Sequence, residues 1–257
     1  MNSTQFDYNL HRLLAAQNSP HLRHTALLYC GRTVTFRGLF AQTERCAKAL
    51  HRWGIKPEME VPLPHAPIPE IVCLLLALWK LGAVPQIGAH CPEASTSPLA
   101  FVCPNHGPQE VLPGIPPVLL SPALSMPLLV RRRYLKSSQQ PPVLPGHILW
   151  KDFLSSGDAI PKAPQPVTSP QQKALCCCPA NEKPQTATGK ELYTLLRQRC
   201  ENPCKEQNPC IPAAALASVD SPADLVDTLL LPLHLGLCLH LNPATSDPST
   251  ASSQPTT

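Results

Sequence analysis

The six cysteines between residues 176 and 210 have the side chains in this chain that are best suited to bind a soft metal ion. Cys176–Cys178 are consecutive, and Cys200, Cys204 and Cys210 follow. A structural zinc site needs four convergent ligands, and its cysteines usually come in paired C-x2-C motifs. The C-x3-C and C-x5-C spacings of this chain are looser. They favour unpaired thiols over a zinc site, and no spacing singles out a catalytic Cys–His pair.

Histidines and one proline motif are further candidates for chemistry or binding. His65, His90, His106 and His147 have no sequence neighbours that would complete a catalytic or metal site. Pro161–Pro164 matches the P-x-x-P pattern of ligands for SH3-like modules. Because that pattern arises by chance in a chain with 33 prolines, it does not identify a partner.

The charge balance argues against a nucleic-acid partner. The chain has 21 Lys and Arg against 17 Asp and Glu, a formal net charge of +4. Its largest basic cluster is Arg131–Arg133, and no ladder of aromatic residues accompanies it. Nucleic-acid binding proteins combine a stronger basic surface with such stacking residues. We interpret the three arginines as a solvated turn or helix end.

The elements that would position these residues are clearest near the N-terminus. Asn9–Gln17 has leucines on one helical face, and Ala26–Cys30 with Thr33–Phe36 predicts a β-hairpin. A longer amphipathic helix follows, with Thr35 as its N-cap and Gly54 at its C-terminal end.

The next elements are an interrupted strand and a buried helix. Val61–Pro64 carries two prolines, so it can form at best an edge strand or an irregular segment. Pro69 suits the first turn of a helix, and Ile71–Leu81 is apolar almost all round, which is typical of a fully buried helix. Gly82 ends this helix, and Ala83–Ile87 leads away as an extended segment.

Proline density divides the chain near residue 90. Only two of the 33 prolines lie in the first 60 residues, and dense proline shortens regular elements. The sequence predicts three regions, which are residues 1–90, a degenerate and partly disordered continuation at 91–243, and a disordered Ser/Thr/Pro tail at 244–257. Within the second region, four segments favour regular structure: Leu99–Cys103, Val118–Leu120, His147–Leu154 and the helix Gly189–Arg199.

The chain lacks the patterns of a secreted or membrane-spanning protein. Met1–Gln17 has no apolar core behind a positive cluster, so no secretory signal is expected. The longest apolar run, Ile71–Trp79, is much shorter than the roughly 20 residues that a membrane-spanning helix needs. The sequence therefore predicts a cytoplasmic protein without a membrane span, in which disulfides are not expected.

Several segments follow one another in a characteristic order, which is Thr25–Phe36, an amphipathic helix, Trp53–Pro57 and then Leu74–Pro85. Together they resemble the opening of the acyl-adenylate-forming superfamily, the AMP-dependent synthetases and ligases, and bacterial acyl-CoA synthetase-like members in particular. Weaker similarity continues in His147–Leu154 and Leu229–Cys238. The resemblance implies a parallel α/β core, ATP, Mg²⁺ and CoA as family cofactors, and a two-step reaction. A carboxylate and ATP give an acyl-adenylate and pyrophosphate, and a thiol then takes the acyl group.

The family's phosphate-binding loop has no clear counterpart here. In the family it is a Ser/Thr/Gly-rich run that ends in Pro-Lys-Gly. The corresponding window, Leu175–Ala187, contains no glycine, while Pro179 and Pro184 lack N–H donors and Glu182 would repel a triphosphate. Thr186–Lys190 is only a scrambled echo of the loop. We therefore expect no bound ATP, Mg²⁺ or CoA and assign no catalytic, cofactor-binding or metal-binding residue.

His234 is the one site residue that the resemblance carries over. It occupies the histidine of a family motif that packs near the acyl pocket, although the flanking phenylalanine and glycine of that motif are absent. The resemblance thus gives His234 a substrate-binding role. The residues themselves equally suit a histidine within an apolar run.

Three hypotheses follow for function. The first is a truncated AMP-dependent synthetase N-terminal portion that cannot adenylate a carboxylate alone, since the family's adenine-binding, Mg²⁺-binding and lid motifs would lie beyond residue 257. The second is half of a split acyl-CoA ligase whose partner is a separate C-terminal polypeptide. The third is a non-catalytic Cys/Pro-rich binding protein.

Stability is the last expectation from the sequence. The segments that would cover Ile71–Leu81 are rich in proline or missing, so about half of its large side chains should stay exposed, at about 1.5–3 kcal/mol each. Exposed apolar surface of this kind favours association. The sequence therefore predicts an aggregation-prone protein.

Overall fold

The computed structural model of this chain describes residues 7–88, 97–103, 114–137, 146–179, 182–201, 211–212 and 219–241. The first elements are α1 (Leu10–Gln17), β1 (Thr25–Tyr29), β2 (Arg32–Thr35), α2 (Phe36–Arg52), β3 (Glu60–Leu63), α3 (Pro69–Leu81) and β4 (Val84–Gly88). The middle elements are β5 (Ala100–Val102), β6 (Pro117–Leu119), the 3-10 turn Pro122–Ser125, α4 (Leu128–Ser137), β7 (Ile148–Leu149) and α5 (Trp150–Ser155). The last are β8 (Lys173–Cys178), β9 (Gln185–Thr188), α6 (Gly189–Glu201), β10 (Ile211–Pro212), α7 (Pro222–Leu225), a π-helical turn Val226–Leu230, α8 (Leu231–His234) and β11 (Leu239–Leu241).

The predicted hairpin and the helix after it are present. β1 and β2 pair antiparallel, and the two residues between them, Cys30 and Gly31, have φ of 49° and 82°. Positive φ at both central residues gives the turn whose twist matches that of a hairpin. Thr35 then caps α2, because its hydroxyl accepts a hydrogen bond from the Gly38 N–H at 3.2 Å. Both signals were local in sequence, and both predictions are confirmed.

Three sheets make up the strand framework, and the α/β class predicted from the resemblance is confirmed. The first has the order β10-β11-β1-β2, the second β3-β4-β8-β9 and the third β5-β6-β7. In the second sheet β3, β4 and β8 run parallel, and β9 closes it antiparallel to β8. β3 lies at the edge, as its proline content predicted.

The strands of the second sheet come very close together at Gly88. This residue has φ of 150°, and a Cβ placed on it would lie 2.0 Å from the Cys178 carbonyl oxygen. Any side chain at this position would therefore separate β4 from β8. Gly88 is the register partner of Cys178, so the contact joins the region before residue 90 to the region after it.

The expected exposure of α3 is wrong. Every residue of α3 is buried, including Glu70 at its start and Lys80 near its end. The cover comes from α1, α2, the irregular segment 163–172 and the first residues of β8. The Asn9 side-chain amide donates to the Trp79 carbonyl at 2.7 Å, and the Trp79 indole donates to the Ala174 carbonyl at 2.7 Å.

Two further contacts fasten this cover. The buried Lys80 ammonium pairs with Glu44 on α2 at 2.9 Å, and Glu44 also accepts the Ala163 N–H at 2.8 Å. The Gln165 amide lies 3.2 Å from Nδ1 of His11 on α1. We call this Pro-rich segment, residues 163–172, the strap. It binds α1 and α2 and helps to cover α3, which was expected to be partly exposed.

Segments with short apolar runs downstream of residue 96 form strands and helices where the sequence favoured them. β5, β6 and β7 lie within Leu99–Cys103, Val118–Leu120 and His147–Leu154 or within one residue of them, and they pair parallel with each other. α6 extends the predicted helix to Glu201. The predicted tail at 244–257 lies outside the described residues, and the boundary at residue 90 stays a prediction.

Candidate functional site

The window in which the resemblance places a phosphate-binding loop is the β8–β9 hairpin. β8 lies between β4 and β9, so its side chains alternate between two buried faces. Leu175 and Cys177 join the main core, whereas Cys176 and Cys178 pack with Val84 on the other face. In the connection to β9, Glu182–Pro184 are exposed, while Ala180 and Asn181 lie outside the described residues.

The start of α6, directly after this hairpin, is occupied by the chain's own side chains. The Glu191 carboxylate accepts hydrogen bonds from the Thr188 N–H at 2.7 Å and from the Thr188 hydroxyl at 3.0 Å. The Thr188 hydroxyl in turn accepts the Glu191 N–H at 3.2 Å. This is a capping box, in which reciprocal contacts satisfy N–H groups that a helix start would otherwise offer to an anion.

An open groove of about 580 Å³ lies beside this helix start. Its lining includes Thr188, Lys190, Glu191, Thr194 and Pro222. Lys190 and Glu191 are adjacent and of opposite charge. The hydroxyl groups of Thr188 and Thr194 already donate to the Glu191 carboxylate and to the Lys190 carbonyl, so they are not free to donate to a ligand.

His234 does not line this groove. It is the last residue of α8, at the end of the continuous helical stretch 222–234. Burial lowers the pKa of its imidazole, and Nδ1 is buried without a hydrogen-bond partner among the described residues. The preceding carbonyl, of Leu233, accepts the Asn18 side-chain amide at 2.8 Å, which fixes the helix end against α1. The substrate-binding role of His234 stays a prediction.

The candidate cysteines do not converge on one point, because β8 places its three cysteines on two opposite faces. The Cys176 and Cys178 sulfurs are 3.7 Å apart, while Cys177 lies on the opposite face of β8 and Cys200 is on α6. Burial raises the pKa of both Cys176 and Cys177 to about 12, which keeps them as thiols. In the parts of the chain that the structure describes, no three His, Cys, Asp or Glu side chains form a metal-binding group. Cys204 and Cys210 lie outside those parts.

The other candidates are apart from the hairpin. His65 and His147 each have one buried ring nitrogen without a described partner, and burial lowers the pKa of His65. His90 and His106 lie outside the described residues. In Pro161–Pro164 both prolines are exposed, but Ala163 is buried and bound to Glu44, so the motif is packed on α2 rather than free.

Glu70 is a buried acid at the start of α3, where the sequence pattern indicates only that a carboxylate is favourable beside the positive end of the helix. Its Oε1 accepts the Ser125 hydroxyl at 2.6 Å, and Oε2 has no partner among the described residues. Burial raises the pKa of this carboxyl. The same helix-start signal suits an exposed or a buried acid, so only tertiary packing distinguishes the two.

Comparison with known proteins places this geometry in a fold family. Residues 14–88 match the model of the family described as AMP-binding enzyme. The anthranilate CoA ligase AuaEII in complex with anthranoyl-AMP is similar over 93% of this chain, with a TM-score of 0.64 and 15% identity. The fold is that of the adenylate-forming enzymes. No curated protein matches the chain.

Two further adenylate-forming structures support this assignment of the fold. The N-terminal subdomain of Klebsiella oxytoca NpsA in complex with 3-hydroxybenzoyl-AMSN is similar over 97% of this chain, with a TM-score of 0.61 and 16% identity. A benzoate CoA ligase from Burkholderia xenovorans LB400 is similar over 93%, with a TM-score of 0.59 and 17% identity. At these identities the likeness concerns the fold alone.

Coverage in the other direction is partial. This chain spans 46% of AuaEII, 58% of the NpsA N-terminal subdomain and 45% of the benzoate CoA ligase. Within the described residues, no helix is both long enough and apolar enough to cross a bilayer.

Proposed function

We propose that this chain keeps the N-terminal fold of adenylate-forming enzymes but does not adenylate a carboxylate by itself. The observation that carries the proposal is the self-capped start of α6, where the Glu191 carboxylate occupies the Thr188 N–H at 2.7 Å. A helix start filled by its own anion is a poor site for a second anion.

The chemistry of adenylation explains why this matters. A carboxylate becomes a good electrophile only when its oxygen is attached to the α-phosphate of ATP and pyrophosphate leaves. The developing phosphate charge needs backbone N–H groups, a cation and Mg²⁺ close by. Pro179 and Pro184 lack N–H groups, and Glu182 and Glu191 add negative charge. These residues do not fit a triphosphate, so no step through ATP or Mg²⁺ is assigned to them.

ATP–pyrophosphate exchange with a panel of carboxylates tests the proposal on the purified chain. We expect no exchange above a blank, with the Burkholderia benzoate CoA ligase and benzoate as the positive control. Lys183 lies in the connection between β8 and β9, and Lys190 lines the groove. Exchange that disappears in the double variant Lys183→Ala/Lys190→Ala would overturn the proposal.

A second candidate is half of a split ligase, which one comparison favours. The NpsA N-terminal subdomain is described in complex with an acyl-AMSN ligand, although it is itself only a subdomain. We infer that a separate C-terminal ligase polypeptide would have to supply the missing groups to this chain. In such a cytoplasmic complex, His234 would contact the acyl group, and ATP, Mg²⁺ and CoA would bind only in the assembled pair.

The coding DNA on the 3′ side of this segment discriminates the two candidates. An in-frame adenylation remainder would allow the two polypeptides to be mixed, and exchange would then appear only in the mixture. His234→Ala should raise the KM for the carboxylate there, whereas His65→Ala should not. A decayed remnant, or a mixture without exchange, would leave the first proposal standing.

A further inference from the structure

The start of α4 is the most exposed apolar surface among the described residues. Leu128 and Leu129 are each 77% exposed and Val130 is 39% exposed. We call these three residues the α4 tip. Arg131–Arg133 follow directly and are all exposed, and we call them the arginine collar. The other end of the helix is anchored, because Tyr134 packs against the main core.

The geometry of the tip does not suit a protein groove. Successive helical residues are rotated by about 100°, so three in a row occupy most of the helix circumference. A partner groove would instead receive a stripe of residues at three- and four-residue steps. Exposed leucines at consecutive positions, without such a stripe, suit a fluid medium that adapts to their shape.

The collar lies at a suitable height above the tip. Its residues are three positions further along the helix, which corresponds to about 4.5 Å of axial rise. Apolar groups at a lipid surface insert by about 5–10 Å, to the boundary between headgroups and acyl chains. With the tip at that depth, the guanidinium groups would reach the phosphate layer, where they can bind two oxygens at once.

The charged residues closest to the tip in sequence are all basic. In the described segment 114–137 they are the three arginines of the collar and Lys136, and that segment contains no Asp or Glu. Exposed leucines beside an exposed cluster of positive charge are complementary to an anionic, apolar partner.

We propose that the α4 tip and the arginine collar dock this protein onto an anionic lipid surface. The tip inserts among the acyl chains, and the collar binds the lipid phosphates. Docking of this kind is peripheral and reversible. It does not depend on the proposed function, since neither the hairpin nor the groove takes part.

Flotation of the full chain with vesicles tests the proposal. We expect binding to vesicles with 30 mol% phosphatidylserine in phosphatidylcholine, weak binding to phosphatidylcholine alone, and release in 0.5 M NaCl. Each Arg near an anionic surface contributes about 1 kcal/mol, so Arg131→Gln/Arg132→Gln/Arg133→Gln should weaken binding about 100-fold. Leu128→Ser/Leu129→Ser should weaken binding to the same vesicles without changing the net charge.

A matched control separates the collar from net charge. Arg37→Gln/Arg45→Gln/Arg52→Gln removes three exposed arginines from α2 and should leave binding within about twofold, since these charges are far from the tip in sequence and belong to another helix. Because the collar and tip side chains are exposed, their variants should keep the far-UV circular dichroism of the parent chain.

Two results would overturn the proposal. Equal loss in the collar and control variants would show attraction by net charge alone. A concentration-dependent oligomer in light scattering that Leu128→Ser/Leu129→Ser abolishes, without any vesicle binding by the parent, would assign the tip to a contact between protein chains.

Discussion

The resemblance to adenylate-forming enzymes sets one structural requirement for α3 and another for the start of α6. α3 meets its requirement, and the start of α6 does not. α3 must be covered on all sides, and it is, by α1, α2, the strap at 163–172 and the first residues of β8. The start of α6 and the hairpin before it would have to offer free N–H groups and positive charge. They present prolines, Glu182 and a capping carboxylate instead.

The two requirements differ in how closely they depend on particular residues. Burial of a helix is satisfied by any apolar side chains of suitable volume, so a divergent sequence can retain it. Binding of a triphosphate needs particular groups at particular positions, and a few replacements remove it. The first prediction below tests the contact between β4 and β8, the next two disturb the cover of α3, and the last asks whether the hairpin and the start of α6 respond to nucleotide.

The largest effect is expected at the β4–β8 contact. Gly88→Ala would place a Cβ 2.0 Å from the Cys178 carbonyl oxygen, at a φ that side chains rarely adopt. We expect a loss of about 4 kcal/mol or more in the free energy of unfolding, measured by urea denaturation. Gly38→Ala is the control, because it lies in α2 with no contact closer than 3.4 Å and should be neutral or stabilising. Equal effects of the two variants would show that the close approach is absent.

The ion pair beneath the strap should have the next largest effect. Glu44→Ala removes the partner of the buried Lys80 ammonium and the acceptor of the Ala163 N–H. We expect a loss of about 3 kcal/mol, since an unpaired buried charge remains. Glu44→Gln keeps an acceptor for Ala163 and should cost less, and Lys80→Met/Glu44→Gln should recover most of the stability. Loss of stability in that double variant equal to Glu44→Ala would contradict this account.

His11 should make the strap sensitive to acid. Burial, followed by the nearby Lys80 charge, lowers the pKa of His11 from the usual 6.5 to about 4. Between pH 4 and pH 6.5, the unfolded chain therefore binds a proton at His11 that the folded chain does not bind. Stability should be complete above pH 6.5 and fall as the pH drops towards 4, by at most about 3 kcal/mol. His11→Gln should flatten this part of the stability profile, and an unchanged slope would exclude His11 as its cause.

The sequence predicted the elements near the N-terminus because their signals are local. Thr35 and Gly82 mark helix ends, and prolines in β3 predicted an edge strand. The capping box at α6 also has a local signal, Thr188-x-x-Glu191, but it was not predicted, because Thr186–Lys190 was interpreted as an echo of the phosphate-binding loop.

Tertiary contacts could not be predicted in this way. Nothing near Ala163 or Gln165 indicates that these residues bind α2 and α1, the helices that cover α3, because their partners Glu44 and His11 are more than a hundred residues away. The predicted exposure of α3 failed for that reason. Aggregation stays a prediction, but its structural basis is now the α4 tip rather than α3.

Thermal unfolding of the full chain with and without ATP and Mg²⁺ tests the cover of α3 and the filled start of α6 in one experiment. A covered α3 predicts a single cooperative transition, and a filled start of α6 predicts no change in Tm with nucleotide. A ligand at 100 times its Kd would add about 2.7 kcal/mol and raise the Tm by about 5–10 °C. A rise of that size, absent with Mg²⁺ alone, would contradict the account.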